Sequence, residues 1–335
     1  MASETAEQPT VWRRLLAESG PSGASGVDAA AALVRRRSPR FVLLVARGTS
    51  DHAALYAKYL VEITLGLPAG LVSPSTFTAY GARPDLRDVL MIAVSQSGGS
   101  PDLLRTLEVA KAGGALTVSV TNNAGSALAT TADAHVDVLA GPERAVAATK
   151  SYTAQLLALS LLLDRVHGGP GVADGLPDLG DEVLSRDAEI AALATRYRFA
   201  ERMITTGRGY SYPTAREAAL KLMETAYVSA QAFSGADLLH GPLALVEPRV
   251  PVLAVVSAGP GGEAFRPVLD ALAERRADVL TVGSAGAGIV LPETADALAP
   301  LLEILPFQLL ARHVAVDRGG DPDAPRGLRK VTETL

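Results

Sequence analysis

The chain has 335 residues, of which 48% are hydrophobic and 20% charged, and its formal net charge is -5. This length and apolar content predict two domains, each with its own core. Aromatic residues make up only 4%, and there is no basic field or basic run interleaved with aromatic residues, which excludes the usual nucleic-acid surfaces. No cysteine occurs, so disulfides, thiolate metal sites and cysteine nucleophiles are excluded within these residues. Without a signal-peptide pattern or a long uncharged apolar stretch, we expect a soluble, cytoplasmic protein with no membrane partner.

Two apolar runs each lead into a turn rich in small residues and then into a helical pattern. Residues 41–46 run into Arg47-Gly48-Thr49-Ser50, and residues 89–94 run into Ser95-Gln96-Ser97-Gly98-Gly99-Ser100. Alternating strand, loop and helix predict an α/β fold with right-handed crossovers and a parallel sheet covered on both faces. Because adjacent strands of such a sheet end at one crevice, we expect the two turns to converge there.

The second half of the chain repeats features of the first. The first turn is echoed by Arg208-Gly209-Tyr210-Ser211, and the serine-rich turn by Ser257-Ala258-Gly259-Pro260-Gly261-Gly262. The spacing of about 160 residues is that of a whole domain, which predicts a tandem duplication. The second copy keeps only the first of three hydroxyls, which predicts that one copy binds a ligand and the other has diverged. The predicted parts are an N-terminal segment 1–27, a first domain 28–167, a linker 168–189 and a second domain 190–335.

The serine-rich turn, residues 95–100, has the composition of an anion site. Backbone N–H groups at a helix N-terminus and short hydroxyl donors can hold a phosphate without a metal, since the helix dipole favours negative charge. Serine and glycine also mark an ordinary strand-to-helix turn, so this segment alone fits both interpretations. Thr49 and Ser50 in the neighbouring turn favour the phosphate. A nucleotide is not indicated, because neither residues 47–50 nor residues 207–209 have the third glycine of a dinucleotide fingerprint and no Walker lysine follows.

Three possible catalytic side chains lie in the second half. Lys221 and Glu224 fall on one face of a predicted helix, a spacing that by itself favours a solvated ion pair. His240 is flanked by leucines and followed by a Gly-Pro bend, a pattern that favours a buried histidine. The C-terminal residues 321–335 lack periodicity and apolar mass, which is typical of a frayed terminus. Patterning leaves the roles of all these residues open.

Taken together, these segments resemble a known family. The chain is similar to sugar isomerase (SIS) domain proteins, in particular to the isomerase half of glucosamine-6-phosphate synthase and to stand-alone type II glucosamine-6-phosphate deaminases. The resemblance runs from residue 7 to the C-terminus and implies tandem SIS domains, each a flavodoxin-like three-layer αβα sandwich with a parallel sheet. The segments that carry it are Arg47-Gly48-Thr49-Ser50, Ser95-Gln96-Ser97-Gly98, Ala147-Ala148-Thr149-Lys150, residues 207–224, residues 236–243 and residues 325–330.

The resemblance also implies roles for individual residues. Glu224 would move a proton between C2 and C1 of the substrate, with Lys221 as an auxiliary proton carrier. His240 would assist ring opening and would reach the site from the neighbouring subunit of a homodimer, while Lys330 would lie on a C-terminal tail that closes over the sugar. No metal and no cofactor is implied. The residues that would bind the phosphosugar are Thr49, Ser50, Ser95, Gln96, Ser97, Ser100 and the backbone of Val146.

The implied reaction converts glucosamine 6-phosphate into fructose 6-phosphate and ammonia. Ring opening makes the C2 proton acidic beside the aldehyde, and a positioned carboxylate can then remove it, a step that contributes about 10²–10⁴ in rate. The glutamine-dependent synthase uses a cysteine nucleophile, which these residues lack, so a hexosamine-6-phosphate deaminase/isomerase independent of glutamine is expected.

The chain departs from the synthase pattern at two places. Ala148 stands where the synthase has a serine, and Gly99-Ser100 replace a glutamate and a threonine, a form closer to the deaminase-like relatives. Two alternatives stay open. One is elimination or deglycation of an N-substituted sugar phosphate, as by an N-acetylglucosamine-6-phosphate dehydratase or lyase or a fructosamine-phosphate deglycase. The other is a phosphosugar sensor without catalysis.

Overall fold

A computed structural model of the protein describes residues 1–169 and 175–330. Their contacts define two compact units, neither of which is continuous along the chain. The N-terminal unit contains residues 10–143, 150–169 and 329–330, and the C-terminal unit contains residues 1–9, 144–149 and 175–328. Residues 170–174 of the predicted linker and 331–335 of the predicted tail lie outside the described residues.

Each unit is built on a five-stranded sheet in which all neighbouring strands are parallel. In the N-terminal unit the strands are β1 (Phe41–Val45), β2 (Ala69–Leu71), β3 (Val89–Ser95), β4 (Leu116–Thr121) and β5 (Ala134–Asp137). In the C-terminal unit they are β6 (Arg202–Gly207), β7 (Ser229–Ser234), β8 (Val252–Val256), β9 (Val279–Gly283) and β10 (Ile289–Val290).

The two sheets have the same strand order. The first runs β2-β1-β3-β4-β5, and the second, from its other edge, runs β7-β6-β8-β9-β10. Both are the flavodoxin-like order, in which the chain changes direction across the sheet between the first and third strands and ligands bind outside the carboxyl ends at that point. The predicted α/β fold with two parallel sheets is therefore confirmed, and the sequence repeat corresponds to a repeated topology.

Helices flank both sheets. The α-helices of the described residues are α1 (Ala2–Ala6), α2 (Gln8–Ala17), α3 (Val27–Arg37), α4 (Thr49–Leu60), α5 (Ser75–Thr78), α6 (Pro101–Ala112), α7 (Ala127–Thr131), α8 (Lys150–His167), α9 (Leu176–Leu184), α10 (Asp187–Ala194), α11 (Ser211–Ala226), α12 (Gly235–Leu239), α13 (Pro260–Glu263), α14 (Arg266–Glu274) and α15 (Ala299–Asp317). Part of the predicted linker is thus helical, because α9 and the start of α10 lie within residues 168–189.

The positions of the two strand-to-helix turns of the N-terminal unit follow from the pairing of the strands before them and from the residue that starts the helix after β3. β1 and β3 are apolar runs that pair with each other in register, with Phe41 opposite Val89 and Val45 opposite Ala93. The helix that follows β3 starts with Pro101 at its first turn, where a missing N–H costs no hydrogen bond and the fixed φ suits the helix. Both turns therefore lie at the same carboxyl edge of the sheet.

The last helix, α15, is long and largely apolar. Among the described residues, the stretch Asp296–Asp317 is long and apolar enough to cross a membrane by length and composition, but 78% of its most apolar window is buried inside the protein. It packs on α11, α10 and α9 and fills the core of its unit. A helix that is hydrophobic on all sides is expected at such a buried position.

Candidate functional site

The serine-rich turn after β3 is held in shape by its own hydroxyls. Ser95 is 6% exposed, and its Oγ accepts a hydrogen bond of 3.1 Å from the Gly98 N–H. The Ser97 Oγ accepts one of 3.3 Å from the Gly99 N–H. Ser100 precedes α6 in extended conformation, and its side chain makes no capping bond. Gln96, Ser97 and Ser100 are all half-buried, so the turn presents polar groups beside the N-terminus of a helix.

Gly98 fixes how closely this turn packs against the next one. Its φ of +65° lies in the left-handed region, which a residue with a Cβ adopts at a cost. A Cβ built there would lie 2.1 Å from the Ser126 Oγ, and Ser126 in turn caps α7 by accepting from Ala129 N at 3.2 Å. Only glycine satisfies both demands at this position.

The turn after β1 contributes Thr49 and Ser50, the first residues of α4. Thr49 is half-buried, and Ser50 is 7% exposed. The Ser50 Oγ accepts a hydrogen bond of 3.1 Å from the amide of Gln155 on α8, so this hydroxyl anchors the turn to the buried helix behind it. The hydrogen bond from Gln155 indicates that Ser50 helps to hold the turn in place, in addition to the binding role predicted for it.

An ion pair that the sequence analysis missed joins the two turns. The Arg47 Nε donates a hydrogen bond of 2.8 Å to the Oδ2 of Asp102. The arginine side chain is 49% exposed and the aspartate side chain 1% exposed, while Asp102 also accepts from the Leu103 N–H at 2.9 Å. The two residues are 55 positions apart. Only the predicted convergence of the turns could have suggested the pair.

In the C-terminal unit, helix α11 carries a cluster of three charged side chains. The Nζ of Lys221 lies 2.5 Å from Oε2 of Glu224 and 3.2 Å from Oε1 of Glu217. The side chains of Lys221 and Glu217 are 0% exposed, whereas that of Glu224 is 21% exposed. The predicted pairing at i and i+3 is present, but it is not the solvated pair that spacing alone favours.

Electrostatics keep Lys221 charged despite its burial. Burial by itself would lower the pKa of Lys221, yet the neighbouring carboxylates of Glu217 and Glu224 outweigh it and raise the pKa. One buried positive charge thus faces two carboxylates, and the cluster carries a net negative charge when all three are ionised. Glu224 is its solvent-facing member.

His240 is exposed, contrary to the burial that its flanking leucines favour. It follows the five-residue helix α12, on which Leu238 is 0% exposed and Leu239 is 39% exposed. Only one face of so short a helix packs on its own unit. The bend predicted after it is present, since Gly241 has a φ of +124°. The imidazole is therefore available to a partner or a ligand.

Lys330 and Val146 belong to different units. In the N-terminal unit, the Lys330 Nζ donates a hydrogen bond of 3.0 Å to the Oε2 of Glu143, a carboxylate that also accepts from the Ser151 hydroxyl at 2.7 Å. The last described residue of the tail is thus paired, which differs from a frayed terminus.

In the C-terminal unit, Val146 is half-buried, and the N–H of Ala145 beside it donates to the Glu4 carboxylate at 3.3 Å.

The C-terminal unit also contains a buried carboxyl that the sequence analysis missed. Glu303 on α15 is 1% exposed and accepts hydrogen bonds from the hydroxyls of Ser211, at 2.7 Å, and Thr214, at 3.1 Å. Burial raises the pKa of Glu303 to about 7, against the smaller lowering effect of these two donors. It lies inside an apolar helix, 92 residues from Ser211, so no local pattern identifies its partners.

Comparison with known proteins identifies the family. Residues 37–165 and 197–287 match the SIS domain, which is more than half of the chain. The chain belongs to the SIS domain family. The resemblance found from the motifs is thereby confirmed, and one match falls in each half of the chain.

Three relatives illustrate the range of proteins to which the chain is similar. It is 38% identical over 302 residues to the isomerizing glutamine–fructose-6-phosphate aminotransferase of Methanothermobacter thermautotrophicus, covering 86% of this chain and 51% of that protein. Its structure matches a candidate phosphosugar isomerase of Silicibacter pomeroyi DSS-3 with a TM-score of 0.85 and 34% identity, covering 96% of this chain and 99% of that one. The glucosamine-6-phosphate deaminase of Thermotoga maritima shares the fold, with a TM-score of 0.76 and 24% identity, over 97% of this chain and 100% of that one.

The chain spans about half the length of the curated aminotransferase that it matches. The Silicibacter pomeroyi protein, in contrast, is similar in length, since the structural match covers nearly all of both chains.

Proposed function

We propose that the protein is a hexosamine-6-phosphate deaminase/isomerase that converts glucosamine 6-phosphate into fructose 6-phosphate and ammonia without using glutamine. Membership of the SIS family and similarity to relatives named for phosphosugar isomerisation support an enzyme that acts on a sugar phosphate. The observation that carries the finer proposal is the cluster on α11, in which a buried lysine holds one solvent-facing carboxylate. The proposed setting is the cytoplasm.

The turn at residues 95–100 would hold the phosphate. Ser97 and Ser100 offer hydroxyls, and the adjoining start of α6 offers backbone N–H groups and the positive end of the helix dipole. The pair between Arg47 and Asp102 holds the two turns together from one side. Arg47 is half-exposed and is paired with the buried carboxylate of Asp102. It would contribute positive potential near the phosphate without bonding to it directly.

Glu224 would be the base. Of the two carboxylates on Lys221, Glu217 is fully buried and cannot reach a ligand, whereas Glu224 is one-fifth exposed. Its contact with the Lys221 ammonium holds it in position, and the charged Lys221 could assist only as a proton donor. This difference in exposure supports Glu224 rather than Glu217, seven residues earlier on the same helix, as the proposed base.

The chemistry balances without an added oxidant. Once the ring is open, Glu224 removes the C2 proton and returns it at C1, while one proton of the C2 amino group passes to O1. The aldehyde thereby becomes an alcohol and C2 becomes an imine. Water then adds to the imine and ammonia leaves. Because the 335 residues contain no cysteine, they supply no thiol for glutamine hydrolysis, and release of ammonia to solvent is the simpler fate.

The direct test is product analysis. Purified protein incubated with glucosamine 6-phosphate is expected to release ammonium and fructose 6-phosphate in equal amounts. Glu224→Gln keeps the shape of the side chain and removes the base, so it should lower kcat by about 10²–10⁴. Turnover of the wild type no faster than that of the variant rejects the proposal. Parallel reactions with N-acetylated and N-glycated 6-phosphosugars, read by mass spectrometry, would reveal elimination or deglycation, and binding without any product would indicate a sensor.

We also propose that the enzyme is a homodimer in which His240 serves the site of the neighbouring subunit. Its exposure and the exposed Leu239 and Leu245 beside it in the chain, at 39% and 42%, support this role. Co-expression of Glu224→Gln with His240→Asn under two affinity tags isolates mixed dimers, in which one of the two sites retains both groups. Activity well above either parent variant is expected, and activity equal to the parents refutes sharing.

A further inference from the structure

The C-terminal unit has a cavity of about 430 Å³ at the carboxyl ends of its strands. Ser257 and Gly259 follow β8, Ser284 follows β9, and Leu302 and Glu303 on α15 close the cavity from below. The two α15 residues are each 1% exposed, whereas Ala285 and Glu293 at its rim are exposed. The volume falls within the range of about 300–1,000 Å³ that is typical of small-molecule sites, and the exposed rim admits a ligand.

This cavity adjoins the turn that corresponds, in the second copy, to the serine-rich turn of the first. Here the chain's own carboxylate takes the place where an anion would approach. A Cβ built on Gly259 would lie 2.5 Å from the Oδ2 of Asp296, so the carboxylate rests against the backbone of the turn. A phosphate is excluded from this position by both space and charge.

The lining is acidic, and its described residues include no basic side chain. Glu293, Asp296 and Glu303 contribute carboxyl groups, and none of the described residues that line the cavity is a lysine, arginine or histidine. Burial raises the pKa of Asp296, although the facing Gly259 N–H and Ser257 hydroxyl favour its ionised form. Its Oδ1 is buried and has no hydrogen-bond partner among the described residues. The rest of the half-buried Asp296 side chain lines the cavity, so a cation bound there would offset part of the cost of burying its charge.

The remaining walls fit the ring of a sugar. Ser257, Ser284 and Thr294 offer hydroxyls, and Leu291 and the half-buried Pro292 offer an apolar surface. Small-molecule sites typically combine such an apolar wall with a few placed polar groups. Among the described residues no group of three or more histidine or carboxylate side chains is arranged to hold a metal ion, so the carboxylates are better matched to an organic cation.

We propose that this cavity is a second ligand site, which binds an amino sugar lacking a phosphate, with its ammonium group on Asp296 and its ring against Leu291 and Pro292. The site is separate from the turn at residues 95–100 and does not depend on the proposed reaction. The charge of the lining selects an amine over a phosphate, and the exposed rim lets the ligand exchange with solvent.

Calorimetric titration with D-glucosamine in the presence of saturating fructose 6-phosphate tests this site. One glucosamine is expected to bind per chain under these conditions, because the phosphosugar occupies only the other site. Asp296→Asn should weaken binding by about ten- to hundredfold through loss of a charge-assisted hydrogen bond. Ser284→Phe keeps every charge and fills the cavity, so it should abolish binding even if the first variant folds poorly.

Two further titrations complete the test. D-glucose should bind the wild type at least about tenfold more weakly than glucosamine, since it lacks the ammonium group. Ser97→Ala, in the turn of the other unit, should leave glucosamine binding unchanged. Absence of binding to the wild type, displacement of glucosamine by fructose 6-phosphate, or equal binding by Ser284→Phe would each overturn the proposal. Turnover of glucosamine 6-phosphate by Asp296→Asn at the wild-type rate is expected, and it separates this site from the proposed reaction.

Discussion

Replacing Glu303 by glutamine should change how the stability of the protein depends on pH. Glu303 is fully buried and receives one hydrogen bond each from Ser211 and Thr214, and burial raises its pKa from the ordinary 4.5 to about 7. Glutamine has nearly the same shape as the protonated acid and can keep both contacts. The substitution therefore removes the titration and leaves the packing in place.

The sign follows from proton binding in the two states. Between pH 4.5 and about 7 the unfolded chain has lost this proton while the folded chain retains it, so the stabilisation is complete below the unfolded pKa and is lost as pH rises through the folded pKa. The difference in pKa corresponds to about 3 kcal/mol of ionisation penalty in the folded protein at high pH. The wild type pays this penalty and Glu303→Gln does not.

Urea denaturation of both proteins across this pH range measures the effect. Relative to the wild type, Glu303→Gln should gain about 2–3 kcal/mol in free energy of unfolding between about pH 5 and pH 8. Any constant cost of the amide appears as an offset, so the change with pH is the quantity to compare. Glu293→Gln, an exposed carboxyl on the same cavity, serves as the matched control. A pH-independent difference, or a gain at low pH, refutes the reasoning.

Two substitutions probe the rest of the site. Gly98→Ala should raise KM for the sugar phosphate about tenfold and lower stability by about 1–3 kcal/mol, because its Cβ would meet Ser126. Gly99→Ala, whose nearest neighbour to a Cβ is a hydroxyl at 3.7 Å, is the control and should change little in steady-state kinetics. Lys221→Met should cost about 3–5 kcal/mol by thermal denaturation, since it removes the positive charge that faces the buried carboxylate of Glu217. The double variant with Glu217→Gln should recover most of that loss, and a double variant as unstable as the single one contradicts the pairing.

The strand-to-helix turns were predictable because their signals are local. An apolar run followed by small residues fixes where a strand ends, and parallel pairing then brings the ends of β1 and β3 to one edge. The ion pair between Arg47 and Asp102 was missed although both residues stand in recognised motifs. Its formation depends on two turns meeting 55 positions apart in the chain, and a single sequence contains no measure of that distance.

The environment of the charged groups could not be read from local patterns. Lys221 and Glu224 have the spacing of a surface pair, but α11 packs against α15, and that contact buries the lysine. Glu303 is a single acid among apolar residues, which by pattern alone is an anomaly. For His240 the local pattern predicted burial, but the residue is exposed. Of the two leucines before it, Leu238 is buried and Leu239 is exposed.

The two copies of the fold differ in the negative charge that meets the carboxyl edge of the sheet. A parallel sheet followed by helices directs N–H groups and helix dipoles at its carboxyl edge, and this edge favours an anion. In the first copy we propose that the turn at residues 95–100 uses its hydroxyls to bind an anion from outside the chain. In the second copy Asp296 supplies the negative charge from within the chain, against a glycine that leaves room for it. Because Asp296 occupies that position, the cavity beside it is lined by carboxyl groups, and this lining is the basis of the site that we propose for a ligand of opposite charge.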